Sequence, residues 1–231
     1  MTTASPPRAA ASLPRRLVHL YAGLLLFGFS DGLLVLGGLG VEPWNLFHQG
    51  VARRTGLSIG TVAIIAGALV LLLWWPLRQR PGLGTVSNVF LVGLSMDWTL
   101  ALLPSAHSWP VRTGLLLAGI VLNGAATGLY ISARFGPGPR DGLMTGLHRR
   151  TGRSLRLCRT FVEITVGLVG IALGGTLGIG TILYALTIGP LAQFFLGVFA
   201  LPGPDPAPGS PPGSPRGPAP GPVAPPGPGR A

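Results

Sequence analysis

Arg53-Arg54-Thr55-Gly56 recurs 96 residues later as Arg149-Arg150-Thr151-Gly152. Shifted by 96 without a gap, residues 19–94 fall on 115–190. Gly23, Gly28, Gly32, Gly40, Pro43 and Gly50 land on Gly119, Gly124, Gly128, Gly136, Pro139 and Gly146, and Ser58 lands on Ser154. Gly82, Gly84, Thr85 and Gly93 land on Gly178, Gly180, Thr181 and Gly189. A chain with 37 glycines offers some matches by chance. It does not offer an ungapped register that includes four consecutive polar and small residues, so the chain is an internal duplication.

Each copy is too apolar to be soluble. Hydrophobic residues make up 48% of the chain and charged ones 10%, against about 25% charged in an ordinary globular domain. The expected fold class is all-α: a polytopic transmembrane helix bundle. Apolar stretches long enough to cross the ~30 Å hydrocarbon core as helices run over 17–38, 59–77, 84–103, 111–133, 155–173 and 180–201. Each copy thus holds three spans, an odd number, so the second copy enters the membrane from the opposite side and the repeats are inverted. The expected organisation is an N-terminal arm (1–16), a transmembrane domain (17–201) with repeats at 19–94 and 115–190, and a tail (202–231). Thirteen prolines in the last 30 residues predict that the tail is disordered and extended.

All 17 basic residues are arginine, and they set both the topology and the net charge of +11. With the N-terminus inside, Arg8, Arg15, Arg16, Arg78, Arg80, Arg134, Arg140, Arg149, Arg150, Arg153, Arg156 and Arg159 face the cytoplasm, whereas Arg53, Arg54 and Arg112 remain outside. That bias places both termini inside. The charge is therefore a topology signal, and nucleic acid is not expected as a partner. A single cysteine, Cys158, excludes a disulfide framework and a cysteine-rich metal site. The four histidines show no metal-ligand spacing, and no nucleophile elbow or phosphate loop is present. Neither an enzyme, a metal nor a cofactor is expected.

Between the first and second span of each copy lies a short segment, near 44–54 and 140–150. Trp44, Phe47 and Val51 recur at helical spacing opposite Asn45, Gln49 and Arg53, while Leu143, Met144 and Leu147 oppose Arg140, Thr145 and Arg149. Both read as short amphipathic helices lying in the interface or dipping partway in. A proline opens each, and two arginines followed by Thr-Gly close it. Ser58 and Ser154 are placed to cap the next span. Gly28/Gly32 and Gly124/Gly128 form small-residue stripes for close helix packing, and Trp74, Trp75 and Trp109 fit an aromatic belt.

These segments carry a family resemblance. Residues 40–50, Gly-Val-Glu-Pro-Trp-Asn-Leu-Phe-His-Gln-Gly, with Thr-Gly-Leu-Ser-Ile-Gly at 55–60, resemble the first motif of the bacterial YczE/YyaS/YitT family of integral membrane proteins. Gly-Pro-Arg-Asp-Gly-Leu-Met at 138–144, followed by Arg-Arg-Thr-Gly, resembles the second. Arg-Pro-Gly-Leu-Gly-Thr at 80–85 and Gly-Gly-Thr-Leu-Gly-Ile-Gly-Thr at 174–181 complete the pattern, which is closest to the YczE branch and covers roughly 17–200. The resemblance implies a multi-spanning protein of the bacterial plasma membrane and brings no established reaction or substrate. Asn45 stands where the family motif carries Asp as often as Asn, while Asp141 keeps the acid in the second copy.

Ionisable groups inside spans cost about 2.5–3.5 kcal/mol or more each, and three acids qualify: Asp31, Asp97 and Glu163. Their counterparts under the repeat are Thr127, Gln193 and Gly67, so the symmetry does not require them. Glu163 stands four residues after Arg159, where the two can pair along one helix face. The glycine- and proline-broken stretches at 40–45 and 136–142 match the interrupted segments that mark sites in inverted-repeat transporters. The candidate solute or ion site is accordingly Asp31, Asn45, Asp97, Arg140, Asp141 and Glu163. The first function reading is a small-solute or ion transporter whose partners are the lipid bilayer and that solute, which requires the acids to reach a common polar cavity. The second is a non-transporting accessory or regulatory membrane protein that recruits a partner, for instance through the tail. The sequence assigns no oligomeric state.

Overall fold

The computed structural model describes residues 11–202, which form eight helices and no strand. The arm up to residue 10 and the proline-rich tail from 203 on lie outside the described residues. The helices are α1 (Leu13–Gly37), α2 (Pro43–Thr55), α3 (Ile59–Trp74), α4 (Leu83–Leu102), α5 (Trp109–Ser132), α6 (Pro139–Thr151), α7 (Leu155–Ala172) and α8 (Ile179–Val198). All six apolar stretches are helical. By length and composition α1, α4, α5 and α8 qualify as membrane spans, and α2 with α3 qualifies as one broken span bent by 114°. The expected count of six is not reached on that measure. α3 alone has 16 residues, about 24 Å of helix, and α7 carries Arg156, Arg159 and Glu163.

Local chemistry places the short helices as the sequence predicts. Pro43 and Pro139 sit in the first turns of α2 and α6, where the missing N–H has no intrahelical role. Ser58 and Ser154 cap α3 and α7 by accepting from Thr61 N (3.2 Å) and Leu157 N (3.3 Å). The turns entering α2 and α6 pivot on Gly40 and Gly136, at φ +111° and +112°, a region closed to side chains with a Cβ. α2 is buried on its polar as well as its apolar side, which fits a helix that dips inward. Trp44, Leu46 and Ala52 are buried, and so are the polar residues Asn45, His48 and Gln49. Its polar face meets other polar groups in the interior instead of water.

α1 packs on α5 and α4, α5 on α8, α2 on α7, and α3 on α4 and α6. α1 and α5 run antiparallel: Gly23 meets Tyr130 and Ala126, whereas Gly37, at the other end of α1, meets Arg112 and Leu115. Many contacts come in pairs related by the 96-residue shift. Gly84 N donates to Phe135 O (3.0 Å) and Gly180 N to Leu39 O (2.8 Å). Thr85 Oγ1 donates to Pro137 O (2.7 Å) and Thr181 Oγ1 to Val41 O (2.8 Å). Arg16 donates to Ala133 O (3.0 Å) and Arg134 O (3.1 Å), and Arg112, 96 residues later, to Gly37 O (2.9 Å) and Gly38 O (2.8 Å). Both arginines thereby satisfy last-turn carbonyls that a helix leaves free.

Two core clusters repeat the same pairing: Leu20, Leu24, Val92 and Tyr130 in one, and Leu34, Leu116 and Ile120 in the other. The glycine stripes serve as packing surfaces, Gly28 and Gly32 against α4, Gly124 and Gly128 against α8. Leu72, Trp98, Phe161, Leu168 and Leu186 point outward and are exposed, an apolar exterior suited to lipid and not to water. Trp75 and Trp109 are exposed, as an aromatic belt requires, but Trp74 is buried, its Nε1 donating to Pro139 O at 3.1 Å. The ring of Trp74 fills the space that the missing Cβ of Gly142 leaves on α6.

Candidate functional site

The first turns of α2 and α6 meet inside the bundle. Glu42 is the N-cap of α2: its Oε2 accepts from Asn45 N at 2.9 Å. Its Oε1 accepts from Arg140 Nη1, in the first turn of α6, also at 2.9 Å. Arg140 lies over the Trp44 ring, 5.0 Å from its centroid. A carboxylate at one helix N-terminus and a guanidinium at the other thus join the two short helices, with both helix dipoles directing positive potential at the junction.

Asp31, from the middle of α1, completes the cluster. It is 1% exposed, and its Oδ1 accepts from Asn123 Nδ2 at 2.9 Å. Asn123 Nδ2 also donates to Ser30 Oγ (3.0 Å), and its Oδ1 accepts from Tyr184 OH (2.9 Å). Asn45 Oδ1 and His48 Nδ1 share a hydrogen bond of 3.2 Å. Glu42, Arg140, Asn45 and Asn123 are the polar groups surrounding the Asp31 carboxylate. Three buried atoms in this small region have no hydrogen-bond partner: Asp31 Oδ2, Asn45 Nδ2 and Trp44 Nε1. Leaving a buried polar group unpaired costs about 1–3 kcal/mol, and the neighbouring side chains of Asn45 and Asp31 are placed to pair with each other.

Of the six residues singled out in the sequence, Asp31, Asn45 and Arg140 come together here. Asp141 stands beside Arg140, where its Oδ2 accepts from Tyr130 OH at 3.1 Å. Glu163 accepts from Arg159 Nε at 2.9 Å and lies one turn before Gly167, which touches Pro43 in the first turn of α2. Asp97 is not brought to the cluster. Its carboxylate accepts from Gly60 N (2.7 Å) and Ser58 Oγ (2.5 Å), holding the start of α3 against α4. We expect Asp97→Asn to cost about 0.5–2 kcal/mol, the range for loss of an N-terminal cap. The check is thermal unfolding in detergent, and Asp97→Asn should leave any solute binding in place.

A cavity of about 40 Å³ lies beside the cluster, lined in part by Trp44, His48, Asn88, Pro139 and Arg140. That space suits a few waters or one small ion. None of the three intramembrane acids lines it: the common cavity that the transport reading required of Asp31, Asp97 and Glu163 is not found, and that reading is left with Asp31 and the Glu42–Arg140 junction alone. The sequence reading passed over Glu42, Asn123 and Tyr184. Glu42 carried a usable signal, since an acid directly before the proline of an interrupted segment is in N-cap position. Asn123 and Tyr184 carried none, being ordinary polar residues in long apolar helices.

A family model described as "Family of unknown function (DUF6198)" matches residues 14–197. An uncharacterized protein of Haemophilus influenzae is 41% identical over 181 residues, covering 78% of this chain and 83% of that one. The uncharacterized membrane protein YczE of Bacillus subtilis is 33% identical over 183 residues, 78% of this chain and 85% of YczE. The uncharacterized protein YyaS of the same organism is 26% identical over 180 residues, 76% of this chain and 90% of YyaS. No solved structure matches. The chain belongs to the DUF6198 family, and its apolar exterior agrees with its similarity to YczE, a membrane protein.

Proposed function

We propose that the protein moves a small polar solute or ion across the bacterial plasma membrane, through a site at the junction of two inverted three-span repeats. In this reading α1, α3, α4, α5, α7 and α8 cross, while α2 and α6 enter from opposite sides and meet midway. The antiparallel course of α1 and α5 supports inversion, as do the paired hydrogen bonds that obey the 96-residue shift. Both termini face the cytoplasm. Gly82 touches Phe135, Arg16 bonds Arg134 O, and Arg150 bonds Pro76 O, which gathers most of the arginines at one end of the bundle.

The observation that carries the proposal is the buried Glu42–Arg140 junction beside Asp31, whose Oδ2 has no partner. Interrupted helices whose N-termini converge at mid-membrane on a charged group are the recurrent build of a transport site. The reading is of binding and passage, not of an enzymatic reaction. The test is flux into proteoliposomes under gradients of protons, sodium, ammonium, chloride and small amino acids. One of these should move in the wild type, and Asp31→Asn should lower that flux at least tenfold while the protein remains folded. Flux no greater than that of empty liposomes for every probe removes the proposal and leaves the accessory, partner-recruiting reading.

A further inference from the structure

The two copies share their bonds but not their packing. In the first, α3 lies along α4: Gly60 approaches the backbone of Gly93, Gly93 meets Ile64, and Gly67 meets Val89. In the second, α7 and α8 make no comparable contact. Gly189, the counterpart of Gly93, meets nothing within 4 Å. The sequence accounts for the difference. Gly60, Ala63 and Gly67 on α3 are replaced on α7 by Arg156, Arg159 and Glu163, and three long charged side chains stand where the first copy has almost none. Only Gly180 of α8 is buried, and on α7 only Cys158, Gly167 and Gly170.

The gap so formed is polar and leads inward. Arg159 pairs with Glu163 at 2.9 Å, and the side chains of Asp141 and Tyr184 lie nearby. Asp141 follows Arg140 on α6, and the hydroxyl of Tyr184 holds Asn123, which holds Asp31. Glu163 lies eight residues into α7, about 12 Å along the helix. It shares the face of Gly167, turned toward α2, whereas its neighbour Ile164 is among the exposed apolar side chains. A half-exposed ion pair at that depth is stable only where water reaches it.

We propose that the space between α7 and α8 is the mouth of the site: a hydrated cleft of mixed charge, lined by Asp141, Arg159, Glu163 and Tyr184, through which a small polar solute reaches Arg140 and Asp31. Between α3 and α4 glycine packing leaves only the small cavity beside Arg140, which Ala63, Gly67 and Gly93 help to line. This deepens the transport reading and rests on it, yet the test reads water access and not flux. In a Cys158→Ser background, Glu163→Cys should react with a membrane-impermeant sulfonated maleimide at least tenfold faster than Ile164→Cys, which has the same depth on the lipid face. Ile64→Cys, packed against Gly93 on the first half, should be as slow as Ile164→Cys. If Glu163→Cys does not accumulate, Arg159→Cys against Thr160→Cys makes the same comparison. Equal rates on the two faces of α7 overturn the cleft, and equal rates for Ile64→Cys and Glu163→Cys overturn the asymmetry. Labelling without flux of any probe would retain the cleft and remove transport, whereas flux without selective labelling would do the reverse.

Discussion

Arg140→Gln should lower the stability of the protein by about 2–4 kcal/mol, because it leaves Glu42 charged, buried and without its cation. Breaking a buried ion pair from one side typically costs about 3–5 kcal/mol. The guanidinium is 28% exposed, so part of its loss is met by solvent, while Glu42, at 5%, has no such recourse. The same substitution removes the cation that lies over Trp44. Glu42→Gln should be costly as well, since Arg140 is then opposed only by Asp31 at longer range. The double variant, Glu42→Gln with Arg140→Gln, should be more stable than either single one, as two neutral amides can bond each other. Melting of the detergent-solubilised protein checks this. A double variant as unstable as the sum of the singles would show that the residues act independently.

Gly142→Ala should cost about 1–3 kcal/mol or more, the range for forcing an extra carbon into a filled core. The added methyl would overlap the six-membered ring of Trp74. Trp74 cannot move aside freely, since its Nε1 is bonded to Pro139 O and its ring packs with Trp44 and Val70. Because Pro139 and Arg140 open α6, pushing α6 away from α3 shifts the guanidinium relative to Glu42. The loss of stability should therefore come with a loss of any Arg140-dependent binding. Gly152→Ala makes the contrast: nothing lies within 4 Å of that position, and the cost there is confined to its φ of +68°. Trp74→Leu combined with Gly142→Ala should recover part of the difference, and thermal melting of the four proteins completes the cycle.

How far these arrangements could be read from the chain depended on whether the information was local. Pro43 and Pro139, the Arg-Arg-Thr-Gly corners and the serines at 58 and 154 act within a few residues, and the short helices begin and end where those residues dictate. Asp31, Asn45 and Arg140 stood out because charge and amide groups are rare in so apolar a chain. What Asp97 does was not readable, because its partners at Ser58 and Gly60 belong to another helix and become neighbours only when α3 and α4 pack. Trp74 looked like a boundary residue for the same reason: nothing near it in sequence announces that α6 arrives with Gly142 facing it. Arg16 and Arg112 were legible as topology signals, but their bonds to the ends of α5 and α1 depend on the antiparallel course of those helices. The difference between the copies lay in plain sight as three small residues against three charged ones, yet only the packing shows that it separates α7 from α8.

The exchanged bonds have a consequence for synthesis at the ribosome. Leu39 O and Val41 O are satisfied by Gly180 N and Thr181 Oγ1, and Gly37 O by Arg112. When the first copy has been inserted, those donors have not yet been translated, and the turn around Gly40 has no partners of its own inside the bilayer. The helices of the first copy must therefore wait in an unfinished state. The second copy then closes both halves together. A chain interrupted between α4 and α5 should for that reason yield two unstable fragments when made separately and one stable complex when made together.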